Sequence, residues 1–209
     1  MEIGSLSRSL SPRRKIAAEA ANLLYTRVEK EYKQAKLAAA KTLGGSFLPT
    51  NLEVALELDR ISEENEGSTR KEQLVQMRHE ALKLMRILKA YDPLLIGSVW
   101  RGTVRHGSDI DITTYHSDPN DVLKTLGKNK IEALRTEWTA VTKHGKRKAS
   151  FHIYLELPGK ERAEIVVRNP EEAQHMEECE IFGDRIKGLH SDELEKLLKE
   201  NPTQRFLPS

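Results

Sequence analysis

The segment running from Leu94-Leu95-Ile96-Gly97-Ser98 to Gly107-Ser108-Asp109-Ile110-Asp111-Ile112 constrains this chain more than any other. A short apolar run ends in Gly-Ser, a stretch of helical character follows, and an Asp-x-Asp strand comes next. A glycine-serine turn at a strand end aims backbone N–H groups and a hydroxyl at an anion. Two apart on a strand, Asp109 and Asp111 share one face, while Ile110 and Ile112 point to the other and can bury. Paired carboxylates repel, and a divalent cation relieves the repulsion. Magnesium favours a few carboxylates plus phosphate oxygens over a closed protein cage. The two halves of the segment therefore predict a single metal-nucleotide site.

Gly97-Ser98-x-x-Arg101-Gly102-Thr103 followed by Gly107-Ser108-Asp109-Ile110-Asp111 resembles the signature of the DNA polymerase beta-like nucleotidyltransferase superfamily. Its spacing is similar to that in the catalytic domain of archaeal CCA-adding enzymes and in minimal nucleotidyltransferases. The resemblance implies an α/β (α+β) nucleotidyltransferase fold with a mixed sheet, extending from about Glu72 to about Asn169. It also implies a third metal-binding carboxylate on a later strand. Glu164 is the choice, because Arg162, Glu164, Val166 and Arg168 alternate with the apolar Ala163, Ile165 and Val167. The archaeal relatives carry Asp at this point, so Glu is a departure from the pattern. Glu156, alternating with His152 and Tyr154, is the rival.

On the resemblance, Asp109, Asp111 and Glu164 are the catalytic, metal-binding carboxylates for two Mg2+ ions. Gly97, Ser98, Arg101 and Ser108 hold a nucleoside triphosphate, the substrate. The implied reaction moves a nucleoside monophosphate to a hydroxyl acceptor and releases pyrophosphate. An RNA 3′ end is the first acceptor; a protein or small molecule is the alternative. A non-catalytic nucleotide- or RNA-binding regulatory module is the competing class. Arg168 on the metal face is a candidate for steadying pyrophosphate, against a plain solvent role, and Trp100 and Trp138 are either base-stacking or packing residues.

Charged residues make up 32% of the 209, with 38% hydrophobic and a net charge of +2. Such balance demands no nucleic-acid partner, so any basic footprint must be local. Two clusters qualify, Arg13-Arg14-Lys15 and Lys143-His144-Gly145-Lys146-Arg147-Lys148, the latter at an expected hairpin tip where it could track phosphates. One cysteine, Cys179, excludes an internal disulfide and argues for a reducing, cytoplasmic setting. No apolar run is long enough for a membrane span, and no secretory signal core is present near the start.

The pattern divides into a helical N-terminal segment (1–68), a catalytic domain (69–170) and a helical C-terminal tail (171–209). One long helix is expected from Arg13 to Leu43, stopped by Gly44-Gly45. Thr50 with Glu53 makes a capping box for a second helix through about Glu64, and Thr69 with Glu72 makes another for a third. That third helix aligns Leu74, Met77, Ala81, Leu84 and Leu88 as a core stripe and ends before Asp92-Pro93. The helices over 13–64 suggest a homodimer surface or a dock for a helical partner.

Strands are expected at about 94–96, 110–115, 134–142, 150–157 and 162–168, with helices at about 98–104 and 118–127. Pro158-Gly159-Lys160 links the last two strands, and Ser191 caps a final helix to about Glu200.

Overall fold

Thr50 and Glu53 do at the start of the helix they precede what their spacing implies: Glu53 N–H donates to Thr50 Oγ1 (3.1 Å) and Thr50 N–H to Glu53 Oε2 (2.6 Å). The computed structural model describes residues 11–143 and 146–208, leaving the side chains of 141–147 outside the description. Most of the basic 143–148 cluster therefore lies outside the described residues, Lys148 excepted.

Helix α1 (Pro12–Tyr25) opens with Ser11 Oγ accepting from Arg14 N–H and proline in the first turn. Helix α2 (Tyr32–Leu43) closes on Gly44 in the left-handed region, φ +64°. The expected single helix over 13–43 is thus two helices. The break lies where Thr26 turns its hydroxyl onto the Asn22 carbonyl (2.8 Å) and Arg27 adopts φ +61°. Neither glycine nor proline marks it, and the apolar stripe runs through it, which is why periodicity alone reads one helix. Alanines let these helices approach closely: Ala17, Ala20 and Ala21 of α1 and Ala35 and Ala39 of α2 are buried in a small core with Val54 and Leu58.

Helix α3 (Asn51–Ile87) is interrupted at Gly67, whose φ of +54° and ψ of −128° no L side chain adopts cheaply. Helical structure resumes directly after Gly67 instead of restarting at Thr69. The described residues form two compact units that meet in sequence here: 11–67 with 180–183, and those from 68 to 179 with 184–208.

The second unit is built on a five-stranded mixed sheet in the order β1-β2-β5-β4-β3. Its strands are β1 (Leu94–Ile96), β2 (Ile110–Tyr115), β3 (Ala133–Lys143), β4 (Lys146–Glu156) and β5 (Arg162–Arg168). Only β2 and β5 pair in parallel; β1–β2, β4–β5 and β3–β4 are antiparallel. Helices α4 (Gly97–Arg101), α5 (Pro119–Lys128) and α6 (Ser191–Glu200) complete the unit. The N-cap of α6 is His190, whose N–H donates to Glu193 Oε2 (2.8 Å), one residue earlier than the expected Ser191.

Strand alternation sorts the sheet into two chemistries. Ile110, Ile112, Ile165, Val167, Ile153 and Leu155 point to one face and bury there. Against them pack the predicted stripe Leu74, Met77, Ala81, Leu84 and Leu88 of α3, with Val122 and Leu126 of α5 and Leu194 and Leu197 of α6. At roughly 25 cal/mol per Å2 of apolar area, this layer is the main source of the unit's stability. The opposite face is left to Asp111, Thr113, Glu164, His152, Tyr154 and Arg168. No helix among the described residues is long and apolar enough to cross a membrane.

Two arginines of α3 lie within its apolar stripe. Arg78, fully buried, donates to the carbonyls of Val99 (3.1 Å), Trp100 (2.9 Å), Pro202 (2.7 Å) and Gln204 (2.9 Å). Arg70 donates to the Val104 carbonyl at 2.6 Å. Together they clamp the α4 turn and the C-terminal tail to the core, and burial lowers the Arg78 pKa to about 10.

Candidate active site

β1 ends at Ile96, and Gly97 turns the chain with φ +69°. A Cβ at Gly97 would overlap the carboxylate of Asp111, so only glycine lets the acid sit against the backbone of the turn. The β1–β2 register makes this approach unavoidable, because Ile96 is the Cα partner of Asp111. Across the parallel β2–β5 pair the Cα partner of Asp111 is Glu164. Asp109, one residue before β2, precedes Asp111 at the same end of the strand.

The electrostatic consequence falls on Asp111. Burial, then the Glu164 charge, then the Asp109 charge push its pKa up to about 7. Asp109 lies closer to solvent, with its side chain 44% exposed, and the Arg162 guanidinium stands 2.8 Å from its Oδ1. That contact is an ion pair without hydrogen-bond alignment: Oδ1 is closed to solvent and has no hydrogen-bond partner among the described residues. Glu164 accepts from or shares a proton with His152, Nδ1 to Oε1 2.6 Å. The far ring nitrogen of His152 is within 2.7 Å of Thr139 Oγ1 and 2.9 Å of Ser150 Oγ. Tyr154 donates to Glu137 (2.7 Å), and burial followed by that hydrogen bond holds its phenol in the neutral form.

Asp109, Asp111 and Glu164 are thus gathered at one end of the polar face. Among the described residues no three acidic, histidine or cysteine side chains form a ready-made metal cluster, and Glu164 and Asp109 are engaged by His152 and Arg162. The donor set nonetheless suits a hard divalent cation: carboxylate oxygens only, one acid whose pKa is raised by desolvation and then by like charge, and one orphaned oxygen. The rival Glu156 pairs with Arg162 in register, beyond Glu164 on the strand ladder.

The other predicted residues divide. Gly97 and Ser98 open α4 directly above Asp111. Ser108 Oγ accepts from Arg105 N–H (3.0 Å) and Ser108 N–H donates to the Arg105 carbonyl (2.9 Å), closing the turn that delivers Asp109. Arg101 is only 4% exposed; its guanidinium binds both oxygens of Asp184 (2.6 and 3.1 Å) and the Phe206 carbonyl (3.1 Å), and stacks on Trp100. It ties the C-terminal tail to α4, a role its spacing from Ser98 does not foretell. Trp100 packs on Phe206, while Trp138 is 64% exposed beside Phe151. In the other unit, Arg13 and Arg14 are paired with Glu53 and Glu57, which offsets two of the three charges of the first basic cluster and leaves Lys15 exposed.

His152 and Arg162 were not singled out by motif. The alternation of β4 with β5 contains the signal, since the Pro158–Lys160 turn sets a register in which Tyr154 faces Glu164 and His152 lies diagonal to it. No known protein-family profile and no curated protein matches this chain.

Proposed function

We propose that this protein is a metal-dependent nucleotidyltransferase that moves a nucleoside monophosphate from a nucleoside triphosphate to a hydroxyl acceptor and releases pyrophosphate. The observation that carries the reading is the seat of Asp111. It is a half-buried carboxylate pressed against Gly97, with two further acids beside it whose charges, together with desolvation, raise its pKa. A protein does not hold like charges together in a desolvated place for stability, and such perturbed acids cluster where chemistry is done.

In the proposed reaction the acceptor oxygen attacks the α-phosphorus in line. The new O–P bond forms as the bond to the β-phosphate bridging oxygen breaks, and the acceptor proton passes to solvent. Asp109 and Asp111 would hold Mg2+, with Glu164 completing the set once its hydrogen bond to His152 is exchanged. The bound ions supply charge neutralisation on the phosphates and acidify the acceptor hydroxyl. α4 is a single turn, so the triphosphate would be oriented by local N–H groups at Gly97 and Ser98 and by the Ser98 hydroxyl, not by a long helix dipole. Arg162 balances Asp109 in the absence of a cation, and His152 fixes the orientation of Glu164. Arg101 is buried and paired with Asp184, so this reading assigns it to holding the tail instead of the triphosphate.

The test is pyrophosphate release from each of the four triphosphates with Mg2+ and with total RNA or a small-molecule extract as acceptor. Release with at least one pairing, abolished by chelation, is expected; no release from any would overturn the reading.

A further inference from the structure

The polar face of the sheet does not end at the carboxylates. A cavity of about 240 Å3 opens beside them, floored by Ile96, the Cα partner of Asp111, and by Thr113, the next residue of β2 on that face. Farther along, the floor carries Tyr115, Lys148 and Arg168, and the segment between β5 and α6 forms the roof.

Ion pairs fasten roof to floor. Arg168 Nη1 lies 2.6 Å from Glu177 Oε1 and 3.9 Å from Glu172 Oε2, and Lys148 Nζ lies 3.4 Å from Glu172. These pairs leave a cationic remainder. Lys187 adds a third positive group to the lining against the two glutamates. Arg168 Nε–H is shut off from solvent and has no hydrogen-bond partner among the described residues. Closed to solvent, that N–H is out of reach of a ligand in the cavity, so ligand contact falls to the cationic groups that line the open space. A guanidinium fork with two ammonium groups matches a phosphate monoester, whose two charges and three oxygens exceed what a carboxylate offers. The hydroxyls of Thr113 and Tyr115 suit a polyol body.

We infer that this cavity is the acceptor subsite, and that the acceptor is a small hydroxyl compound carrying a phosphate group. Arg168, Lys148 and Lys187 take the phosphate, and the free hydroxyl is presented along the strand toward Asp111. The inference rests on the nucleotidyl-transfer reading and narrows it: the product is a phosphodiester joining a nucleoside monophosphate to a phosphorylated compound, with pyrophosphate leaving.

The probe is ribose 5-phosphate, titrated calorimetrically into the full chain with ribose and a 3′-hydroxyl oligoribonucleotide as comparisons. Ribose 5-phosphate is expected to bind at least about tenfold more tightly than ribose, and Arg168→Gln to lose about tenfold, as one charge-assisted contact would give. Lys196→Gln, an exposed position of α6 off the cavity lining, is expected to bind as the parent does. Equal binding of the two sugars, or an Arg168→Gln protein that binds unchanged, overturns the inference, as does an oligoribonucleotide that binds where ribose 5-phosphate does not. If Arg168→Gln fails to fold, Lys148→Gln takes its place under the same criterion. Pyrophosphate release without ribose 5-phosphate binding overturns the subsite alone. Binding without pyrophosphate release from any triphosphate overturns the transfer reading and the acceptor role with it.

Discussion

Asp111 links stability to function. Its pKa is near 7 in the folded protein and in the ordinary carboxylate range when unfolded, so the native state binds the extra proton more tightly. Stability from this group is present at low pH and declines as pH rises from about 4 to about 7, because the charged form is the disfavoured one in the fold. Asp111→Asn is therefore expected to melt above the parent at pH 8, with the difference vanishing toward pH 4, while losing transfer. Melting curves across that range check it; a variant less stable than the parent at pH 8 would contradict the burial of a charge. Gly97→Ala is the complementary case. Its Cβ would displace the Asp111 carboxylate and its φ of +69° is strained for alanine. It should fold with a cost of about 1–2 kcal/mol and lose transfer by at least about a hundredfold, read by denaturant melts and a rate assay.

The elements were legible in proportion to how local their causes are. β1, β2 and β5 fall where alternation places them, and α3 starts where the Thr50–Glu53 capping box puts it. The α1–α2 break was not legible, because its cause is a threonine side chain competing for a backbone carbonyl. The partition of the site shows the same limit. The two aspartates and Gly97 are set by spacing within one segment, whereas the engagement of Arg101 by Asp184 depends on a tail 83 residues away. Arg78 is the larger example: it lies in an apolar stripe between Met77 and Ala81, and its four carbonyl partners come from α4 and the C-terminal tail. Arg78→Met keeps much of the volume but orphans those carbonyls, and should lower stability by about 3 kcal/mol in urea melts. A change below about 0.5 kcal/mol would mean that the clamp contributes little.

Across the whole chain, near-neutral charge conceals a divided distribution, with basic side chains paired to glutamates in the first unit and cations left over in the sheet cavity of the second. The second unit also owns its core: α3 after Gly67, α5 and α6 cover the apolar sheet face without help from α1 or α2. A chain starting at Ser68 is expected to unfold cooperatively and to keep the carboxylate site, and a non-cooperative melt would show that the first unit is required for folding. The most direct measurement is transfer of label from α-32P-labelled triphosphate in the presence of Mg2+, comparing the parent with Asp109→Asn. Labelled product from the parent and a loss of at least about a hundredfold in the variant, with folding intact, are predicted from two carboxylates sharing the cations. Undiminished labelling by Asp109→Asn would contradict the assignment of the carboxylates as the seat of the chemistry.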